Sequence, residues 1–315
     1  MADWSERNVE TAASILNTAG FVVSQQCLSR PSCFDFAARK MGTVVLVKCQ
    51  PDVGDVSPEN AHELRLISES VSASTLLISA NVREIPLQDD TVYTKHNVLT
   101  ITPRTFENVL IRGLSPIVRA GPGGFYVEID PEIIRKRRQE LGLSIGEMAE
   151  MIGTSKRTLY GYERGLAKAS VPATYKLMWT LGIPVALAIN VFEIPSDRNR
   201  CLLAKAKNML VGSRVLRRIF KKLEKYHVTP VTQAPFDFLV AVPQKGMRIM
   251  GAVVEKKEEG LDRRIDELLS LCEIVETHPI LITDGQRVSE RDIPCLNCRD
   301  LSKIKEAEDL ISIAK

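Results

Sequence analysis

The chain has 315 residues, of which 44% are hydrophobic and 26% are charged, and this balance is that of a globular protein with two or three domains. Its net charge of +3 is small, so any attraction to nucleic acid must come from local clusters of basic residues. The sequence contains no apolar run of 18 residues and no signal-peptide pattern, which predicts a cytoplasmic protein without a membrane partner.

Residues 1–112 are predicted to form a layered α/β domain with the element order α-β-β-β-α-β-β-α. Residues 5–18 carry apolar side chains at helical spacing, and Gly20 ends this helix. Residues 42–48 are almost all apolar, which is typical of a buried strand. Further helices are expected at 58–71 and 103–110, and further strands at 21–23, 33–38, 75–79 and 97–101.

The segment 113–195 begins with a predicted β-hairpin that leads into a group of helices. Residues 117–120 and 125–129 flank a Gly-Pro-Gly-Gly turn, after which Asp130 supplies a helix cap and Pro131 the first helical residue. The helix that follows is expected to bury Ile133, Ile134 and Leu141 and to expose Arg135, Lys136, Arg137 and Arg138.

Residues 142–165 have the pattern of two short helices joined by a turn. Ser144 and Glu147 have the spacing of a capping box, and Gly153 ends the helix that they begin. The second helix starts after Ser155, and a further glycine stops it. Two helices joined in this way predict a helix-turn-helix unit, whose second helix lies in the major groove of DNA.

This unit resembles the helix-turn-helix domains of the phage lambda repressor and Cro class over residues 130–184. The same or similar residues stand at Arg135, Arg138, Gly142, Leu143, Ser144, Met148, Ala149, Gly153, Ser155, Thr158, Tyr162, Glu163, Gly165, Pro172, Leu177, Leu181, Gly182 and Ile183. The alternative is a helical hairpin that only packs. One position departs from the class: where it usually has a Gln that contacts a phosphate, this sequence has Ile145, which cannot donate that hydrogen bond.

Position in the second helix predicts the role of each polar side chain. Lys156 and Arg157 lie in its first turn, where side chains reach base edges, and an Arg can bond both O6 and N7 of guanine. Tyr160 is expected to contact a thymine methyl group or the backbone. Gly161 offers no side chain for a further base contact, and the resemblance implies that Glu163 holds the following loop. The other expected DNA contacts, mainly to phosphates, are Thr154, Ser155, Arg164, Arg135 and Arg138.

Residues 196–315 repeat the pattern of the first domain. Helices are expected at 215–225, 262–272 and 300–313, and strands at 229–232, 235–242, 251–257, 279–283 and 293–297. Residues 34–36 match residues 236–238, and residues 42–45 match 251–254, which predicts a duplicated domain. The first helix of the second copy is basic, unlike its counterpart in the first copy. It is either a solvated face or a phosphate-facing one, with basic residues Arg214, Arg217, Arg218, Lys221, Lys222 and Lys225 outside.

The matched segments resemble the restriction-endonuclease-like fold of metal-dependent nucleases. In that family an Asp at the end of one strand and a Glu-x-Lys on the next converge on a divalent cation. The resemblance assigns these catalytic roles to Asp237, Glu255 and Lys257 in the second copy. In the first copy Asp35 and Lys48 fit, but Leu46 replaces the Glu, so this copy is interpreted as inactive. A scaffold that kept the fold without the reaction is the favoured interpretation of the second copy.

Seven cysteines without a regular framework indicate a reducing compartment. Cys295 and Cys298 form a CxxC pair inside a predicted strand, and a structural zinc site would need a second pair. Buried thiols are therefore preferred to a metal site, and neither a metal nor a cofactor is expected.

These features predict a mixed α+β protein in which two duplicated α/β restriction-endonuclease-like domains, 1–112 and 196–315, flank an all-α repressor-type unit within 113–195. The whole architecture resembles the archaeal family of helix-turn-helix regulatory proteins, which implies a DNA-binding transcriptional regulator of double-stranded DNA. The apolar segment 171–191 suggests a homodimer. The alternatives are a metal-dependent nuclease targeted by the helix-turn-helix, and a chromatin or complex-assembly protein whose flanking domains bind partners. The sequence does not indicate an effector.

Overall fold

The computed structural model describes residues 2–194, 214–223, 226–242, 246–254, 258–283, 293–303 and 310. The first part contains three helices, α1 (Ala2–Thr18), α2 (Pro58–Val71) and α3 (Pro103–Ile111). Its strands are β1 (Val22–Val23), β2 (Phe36–Lys40), β3 (Thr43–Cys49), β4 (Ser74–Ile78), β5 (Asn81–Val82), β6 (Ile85–Pro86), β7 (Thr91–Lys95) and β8 (Val98–Ile101). None of the helices in the described ranges combines the length and apolarity needed to span a bilayer.

The central part is a β-hairpin followed by four helices. The strands are β9 (Val118–Gly121), β10 (Gly124–Val127) and β11 (Ala169–Ser170), and the helices are α4 (Pro131–Glu140), α5 (Ile145–Ile152), α6 (Lys156–Glu163) and α7 (Val171–Leu181). The last part contains α8 (Arg214–Lys222), β12 (His227–Pro230), β13 (Phe238–Val242), β14 (Met247–Val253), α9 (Leu261–Val275), β15 (His278–Thr283), β16 (Cys295–Asn297) and a 3₁₀ turn at Asp300–Lys303.

The two flanking parts contain the same five-stranded arrangement. In the first part the order is β1-β2-β3-β4-β8, and in the last part it is β12-β13-β14-β15-β16. In both, the first two pairings are antiparallel and the next two are parallel. The shared order and direction agree with the duplication that the sequence predicts.

The strand register corrects one detail of that duplication. Phe36 pairs with Val47 in the first copy and Phe238 pairs with Gly251 in the second, so Val47 corresponds to Gly251. The match of residues 42–45 to 251–254 is therefore wrong. Gly42 corresponds instead to Gly246, and both glycines adopt positive φ, 80° and 63°, directly before the third strand of their copy.

The first sheet continues beyond the domain boundary that was expected at residue 112. Strand β7 pairs in parallel with β9, Thr91 opposite Val118, so the hairpin joins the sheet in the order β8-β7-β9-β10-β11. The chain also returns after α7, because Ile189 and Val191 are buried against the outer core of the first part. The central helices are thus attached to the first domain by both of their ends.

A single hydrophobic core joins the two flanking domains. Helix α2 of the first copy packs against β12 and β13 of the second, and α9 of the second copy packs against β2 of the first. Side chains of both copies meet in this core, including Leu64, Ile67, Phe236, Leu239 and Leu268. The arrangement is that of a two-fold dimer contained in one chain.

Two buried carboxylates repeat this two-fold relation across the interface. Glu63, 3% exposed, accepts hydrogen bonds from the backbone N–H groups of Thr232 and Gln233 and from the Thr232 hydroxyl. Glu267, 1% exposed, accepts from the backbone N–H groups of Leu28 and Ser29 and from the Ser29 hydroxyl. Each copy therefore satisfies backbone donors of the other.

Some expectations about the central and last segments need correction. Ile134 is fully buried, but Ile133 and Leu141, which were expected inward, are 40% and 42% exposed. The helix expected at 300–313 begins as a 3₁₀ turn at Asp300–Lys303, and most of its remainder lies outside the described residues.

Candidate nucleic-acid interface

Helix α5 is held at both ends by local contacts. The Ser144 hydroxyl accepts the Glu147 N–H at 3.2 Å and the Glu147 carboxylate accepts the Ser144 N–H at 2.8 Å, which completes the expected capping box. These hydrogen bonds lower the pKa of Glu147. Gly153 ends the helix with φ 67°, a left-handed conformation that turns the chain toward α6.

Helix α6 begins at the Ser155 cap, whose hydroxyl accepts the Thr158 N–H at 3.0 Å. Leu159 and Tyr162 are buried in the core of this domain, where α6 packs against α4 and α5, so the opposite side of α6 faces outward. The sequence predicted this arrangement, because its apolar residues recur at helical spacing. The turn between α5 and α6 and the inner face of α6 are thus fixed by packing.

The outer side of α6 carries most of the side chains that the sequence assigned to DNA. Lys156, Arg157 and Tyr160 are exposed, and no acidic residue lies in the first turn. The Arg164 guanidinium lies over the Tyr160 ring at 5.4 Å from its centroid, so these two residues form one cation–π pair. The structure also exposes Ser155 and Arg135 and half-buries Thr154.

Arg138 does not belong to this exposed set. Arg138 is 8% exposed, and its guanidinium donates to both carboxylate oxygens of Glu163, at 2.5 and 2.9 Å, and to the Leu143 carbonyl at 2.7 Å. The Glu163 hydrogen bonds raise the pKa of Arg138. The expectation that Arg138 is exposed is wrong, because its donors are used inside the domain. The signal that could have found this is its spacing, one helical turn after the buried Ile134.

The side chain of Lys156 folds back over the start of α5. A Cβ atom placed on Gly146 would lie 3.0 Å from Cε and 3.2 Å from Nζ of Lys156. The ammonium group is therefore beside the first turn of α5, next to Ile145, the residue that replaces the usual Gln. The spacing within α6 predicts that Lys156 reaches base edges, but it does not show that Gly146 of α5 lies beside this side chain.

Two further glycines define the edges of the site. Gly161 is buried, and a Cβ atom there would lie 3.4 Å from the Ala167 Cβ, so this position faces the following loop. Gly153 lies close to the Lys176 ammonium, since a Cβ atom there would lie 3.2 Å from Nζ. Lys176 was not singled out by the sequence, and it adds an exposed cation beside the turn between α5 and α6.

The nuclease-like position of the first copy is closed by an ion pair. Asp35 accepts from the Lys48 ammonium at 2.8 Å and from the Cys49 N–H at 2.7 Å. Lys48 also donates to the Ser32 carbonyl, and Leu46 supplies no second carboxylate. The residues that are present therefore satisfy one another.

The nuclease-like position of the second copy is occupied by arginines. Asp237 accepts from Arg30 of the first copy at 2.9 Å, from Arg264 at 2.6 Å and from the Val253 N–H at 2.6 Å. Glu258 binds the same two guanidinium groups, at 2.8 and 2.9 Å. Both oxygens of Asp237 are thus paired with cations that would repel a metal ion.

The strand register shows that the Glu-x-Lys element does not lie at the expected place in β14. The positions equivalent to Leu46 and Lys48 of the first copy are Met250 and Ala252, and both are 1% exposed. Glu255 and Lys257, to which the nuclease alternative assigned catalysis, lie outside the described residues, and β14 ends before them. Among the described residues no three His, Cys, Asp or Glu side chains are grouped to hold a metal ion.

The CxxC pair also lies in a partly enclosed place. Cys295 begins β16 and Cys298 directly follows it; both are half-buried, and burial raises the pKa of the Cys295 thiol.

Comparison with known proteins agrees with the two kinds of domain. Residues 134–187 match the family model of a helix-turn-helix domain, and residues 5–116 match that of a PD-(D/E)XK superfamily domain. The centre of the chain is a helix-turn-helix domain of the Cro and repressor type. The PD-(D/E)XK match covers the first of the two duplicated domains and extends into the beginning of the hairpin segment.

The whole chain is similar to archaeal proteins. A Methanosarcina barkeri protein is 28% identical over 95% of this chain and 93% of its own length. Proteins of Archaeoglobus fulgidus and Methanocaldococcus jannaschii are 29% and 28% identical, each over 98% of this chain and over 96% and 95% of their own lengths. All three carry the name "Putative HTH-type transcriptional regulatory protein". The solved SinR protein/SinI protein complex matches 30% of this chain and 93% of its own at 22% identity and a TM-score of 0.17.

Proposed function

We propose that the protein is a sequence-specific DNA-binding transcriptional regulator that inserts α6 into the major groove of double-stranded DNA. The observation that carries this proposal is the outer side of α6, where Lys156, Arg157 and Tyr160 are exposed while the inner side is packed. The similarity to archaeal regulators over almost the whole chain supports the same function.

Arg157 is proposed to read a base and Lys156 to bind a phosphate. Arg157 is exposed in the first turn of α6 and has the planar donors that match guanine. Lys156 lies beside the first turn of α5, where its charge adds to the positive helix end. In this place it supplies the phosphate contact that Ile145 cannot make. Thr154, Ser155, Arg164 and Arg135 complete the proposed phosphate contacts, and Tyr160 the groove contact.

The test compares three alanine variants on DNA recovered by selection from genomic fragments and on random DNA. Arg157→Ala is expected to weaken the selected site by about 1–3 kcal/mol and to relax one base position. Lys156→Ala and Arg135→Ala are expected to weaken both DNAs alike and to reduce the salt slope by about 1 each. Equal losses for Arg157→Ala on selected and random DNA would reject its base-reading role.

We further infer that the nuclease-like domains act as a scaffold and do not cleave DNA. Pairing of Asp237 with Arg30 and Arg264 supports this inference, as does the apolar pair Met250 and Ala252 in β14. Supercoiled and branched DNA incubated with Mg²⁺ or Mn²⁺ should remain intact. Cutting that disappears in Glu255→Ala would instead establish the nuclease alternative.

The protein is proposed to work in the cytoplasm as a homodimer. The location follows from its ligand, because its relatives are archaeal and their DNA lies in the cytoplasm. The dimer follows from the half-site logic of helix-turn-helix proteins, in which two copies bind two half-sites about one turn of DNA apart. Part of the apolar segment that suggested a dimer is used inside the chain, since Leu177, Leu181 and Val191 are buried.

A further inference from the structure

An uncharged stripe runs along the outer face of α7. It consists of Val171, Tyr175 and Trp179, which follow one another at intervals of four residues and are 40%, 66% and 79% exposed. The rings of Tyr175 and Trp179 stack, with centroids 6.4 Å apart. A contiguous apolar patch of several hundred Å² on a protein surface often marks an interaction site.

We propose that this α7 stripe is the surface through which a second copy of the chain binds. The proposal rests on the proposed function, because a protein that reads one half-site needs a second copy at a fixed distance to read two. Helix α7 packs directly against α4 and α5 of the same domain. A contact through α7 therefore fixes the two recognition helices relative to each other.

The stripe has the shape that a two-fold contact requires. In such a contact the same patch of each copy meets itself, so two α7 helices running antiparallel would pair Tyr175 with its equivalent and Trp179 with the partner's Val171. None of the three side chains is charged, and the ammonium of the neighbouring Lys176 lies beside Gly153, at the turn between α5 and α6. Aromatic residues at the centre of a patch are also those that contribute most to binding energy.

A groove beside Val171 can receive the end of the stripe. It has a volume of about 390 Å³ and is lined by Gln88, Thr91, Val118, Phe125, Val171 and Pro172. Phe125 is 38% exposed there and extends the apolar surface toward the hairpin. The antiparallel arrangement directs the partner's Trp179 to this end of the helix.

The area of the patch predicts how strong the contact is. Since a buried aromatic side chain contributes roughly 150–250 Å², the exposed parts of Tyr175, Trp179, Phe125 and Val171 offer on the order of 400–500 Å² per copy. Two copies would bury about 800–1,000 Å², which is near the lower limit of specific interfaces. The free protein should therefore dimerise weakly, and a duplex with two half-sites should strengthen the dimer by holding both copies.

The first experiment follows dimerisation without DNA. The chain contains two tryptophans, so in a Trp4→Phe variant the emission reports on Trp179 alone. Sedimentation equilibrium from 1 to about 200 µM should show a monomer–dimer equilibrium, and the Trp179 emission should move to shorter wavelength over the same range. Trp179→Ala should remain monomeric. Met41→Ala, which truncates a side chain that is 96% exposed in the β2–β3 turn, is the control and should dimerise like the parent.

The second experiment uses DNA selected by the protein, as a single half-site and as a two-half-site duplex. Trp179→Ala should bind the half-site within about twofold of the parent and lose at least about tenfold on the duplex with two half-sites. A parent protein that stays monomeric with an unchanged Trp179 emission would overturn the proposal, as would a Trp179→Ala variant that dimerises and binds two half-sites normally. Absence of half-site binding by the parent would reject the proposed function instead, and the sedimentation result would then decide the α7 contact by itself.

Discussion

Arg138 and Glu163 join the first helix of the helix-turn-helix domain to the end of its recognition helix. Their side chains are 10% and 5% exposed, and two hydrogen bonds connect them. A buried ion pair contributes little against well-packed apolar residues, but loss of one partner leaves a charge without water or counterion. This pair therefore fixes the position of α6 relative to α4.

We predict that Arg138→Ala lowers the free energy of unfolding by about 3–5 kcal/mol, because Glu163 stays buried without its partner. Urea denaturation followed by circular dichroism measures this change. Arg135→Ala, on the exposed side of the same helix, should change stability by no more than about 0.5 kcal/mol. Unchanged stability with a uniform loss of DNA affinity in Arg138→Ala would support the phosphate role and contradict the structural one.

The local residues of the helix-turn-helix could be predicted because their partners are near in sequence. Ser144 with Glu147, Gly153 and Ser155 form their hydrogen bonds or turns within a few residues, so spacing alone defines them. The pair of Arg138 with Glu163 could not be predicted in this way, because 25 residues separate them and several arginines share α4. The same limit applies to Lys156, whose neighbour Gly146 belongs to another helix.

Helix α8 is the element in which the two copies of the duplicated domain differ most in charge. It buries Ile219 and Phe220 in the outer core of the second copy, as α1 does with Val9 and Leu16 in the first, and Leu223 directly after α8 is buried in the same core. Its exposed residues are Arg217, Arg218, Lys221 and Lys222, whereas α1 carries Glu6 and Glu10 beside Arg7. Because the fold accepts a mixed charge at this place, the basic face of α8 is not required for packing.

We predict that α8 contacts phosphates of DNA that flanks the recognition site. Changing Arg218 and Lys221 to Gln should lower the slope of log K against log salt concentration by about 0.9 for each contact that is lost. Fluorescence anisotropy with a long duplex at several salt concentrations measures this slope. Arg7→Gln in α1 is the matched control, and a duplex trimmed to the half-site should show no effect of the α8 variants. An unchanged slope on the long duplex would identify α8 as a solvated face.

The strands of the first sheet could be predicted from the sequence only in part. Strands β3 and β4 are nearly all apolar and buried, and the sequence predicted both. Strand β7, Thr91–Lys95, was not predicted because its outer residues are polar. Its pairing with β9 joins the hairpin to the first domain, and such a pairing depends on strands that are distant in sequence. Equivalence of the two copies likewise needed the strand register, since repeated Gly-containing segments can be aligned in more than one way.

In the whole molecule, the two nuclease-like domains form one unit instead of two independent ones. They share a core, and Glu63 and Glu267 each bind backbone N–H groups of the other copy. Arg30 of the first copy adds an ion pair to Asp237 of the second. A scaffold of this kind holds the helix-turn-helix domain on a large and stable body, because that domain is attached to the first copy at both ends.

Because the two copies share one core, we predict that a destabilising substitution in one copy also destabilises the other. Glu267→Ala in the second copy should lower the free energy of unfolding by roughly 1–3 kcal/mol, because the N–H groups of Leu28 and Ser29 lose the buried carboxylate that accepts their hydrogen bonds. In a Trp179→Phe background the fluorescence of Trp4 reports on the first copy alone, and its urea midpoint should fall together with the circular dichroism midpoint.

Glu63→Ala should have a similar effect through Thr232 and Gln233. Glu276→Ala, at the exposed pair with Arg39, should cost less than about 1 kcal/mol. A Trp4 transition that Glu267→Ala leaves unmoved would mean that the two copies unfold independently and that the shared core does not couple them.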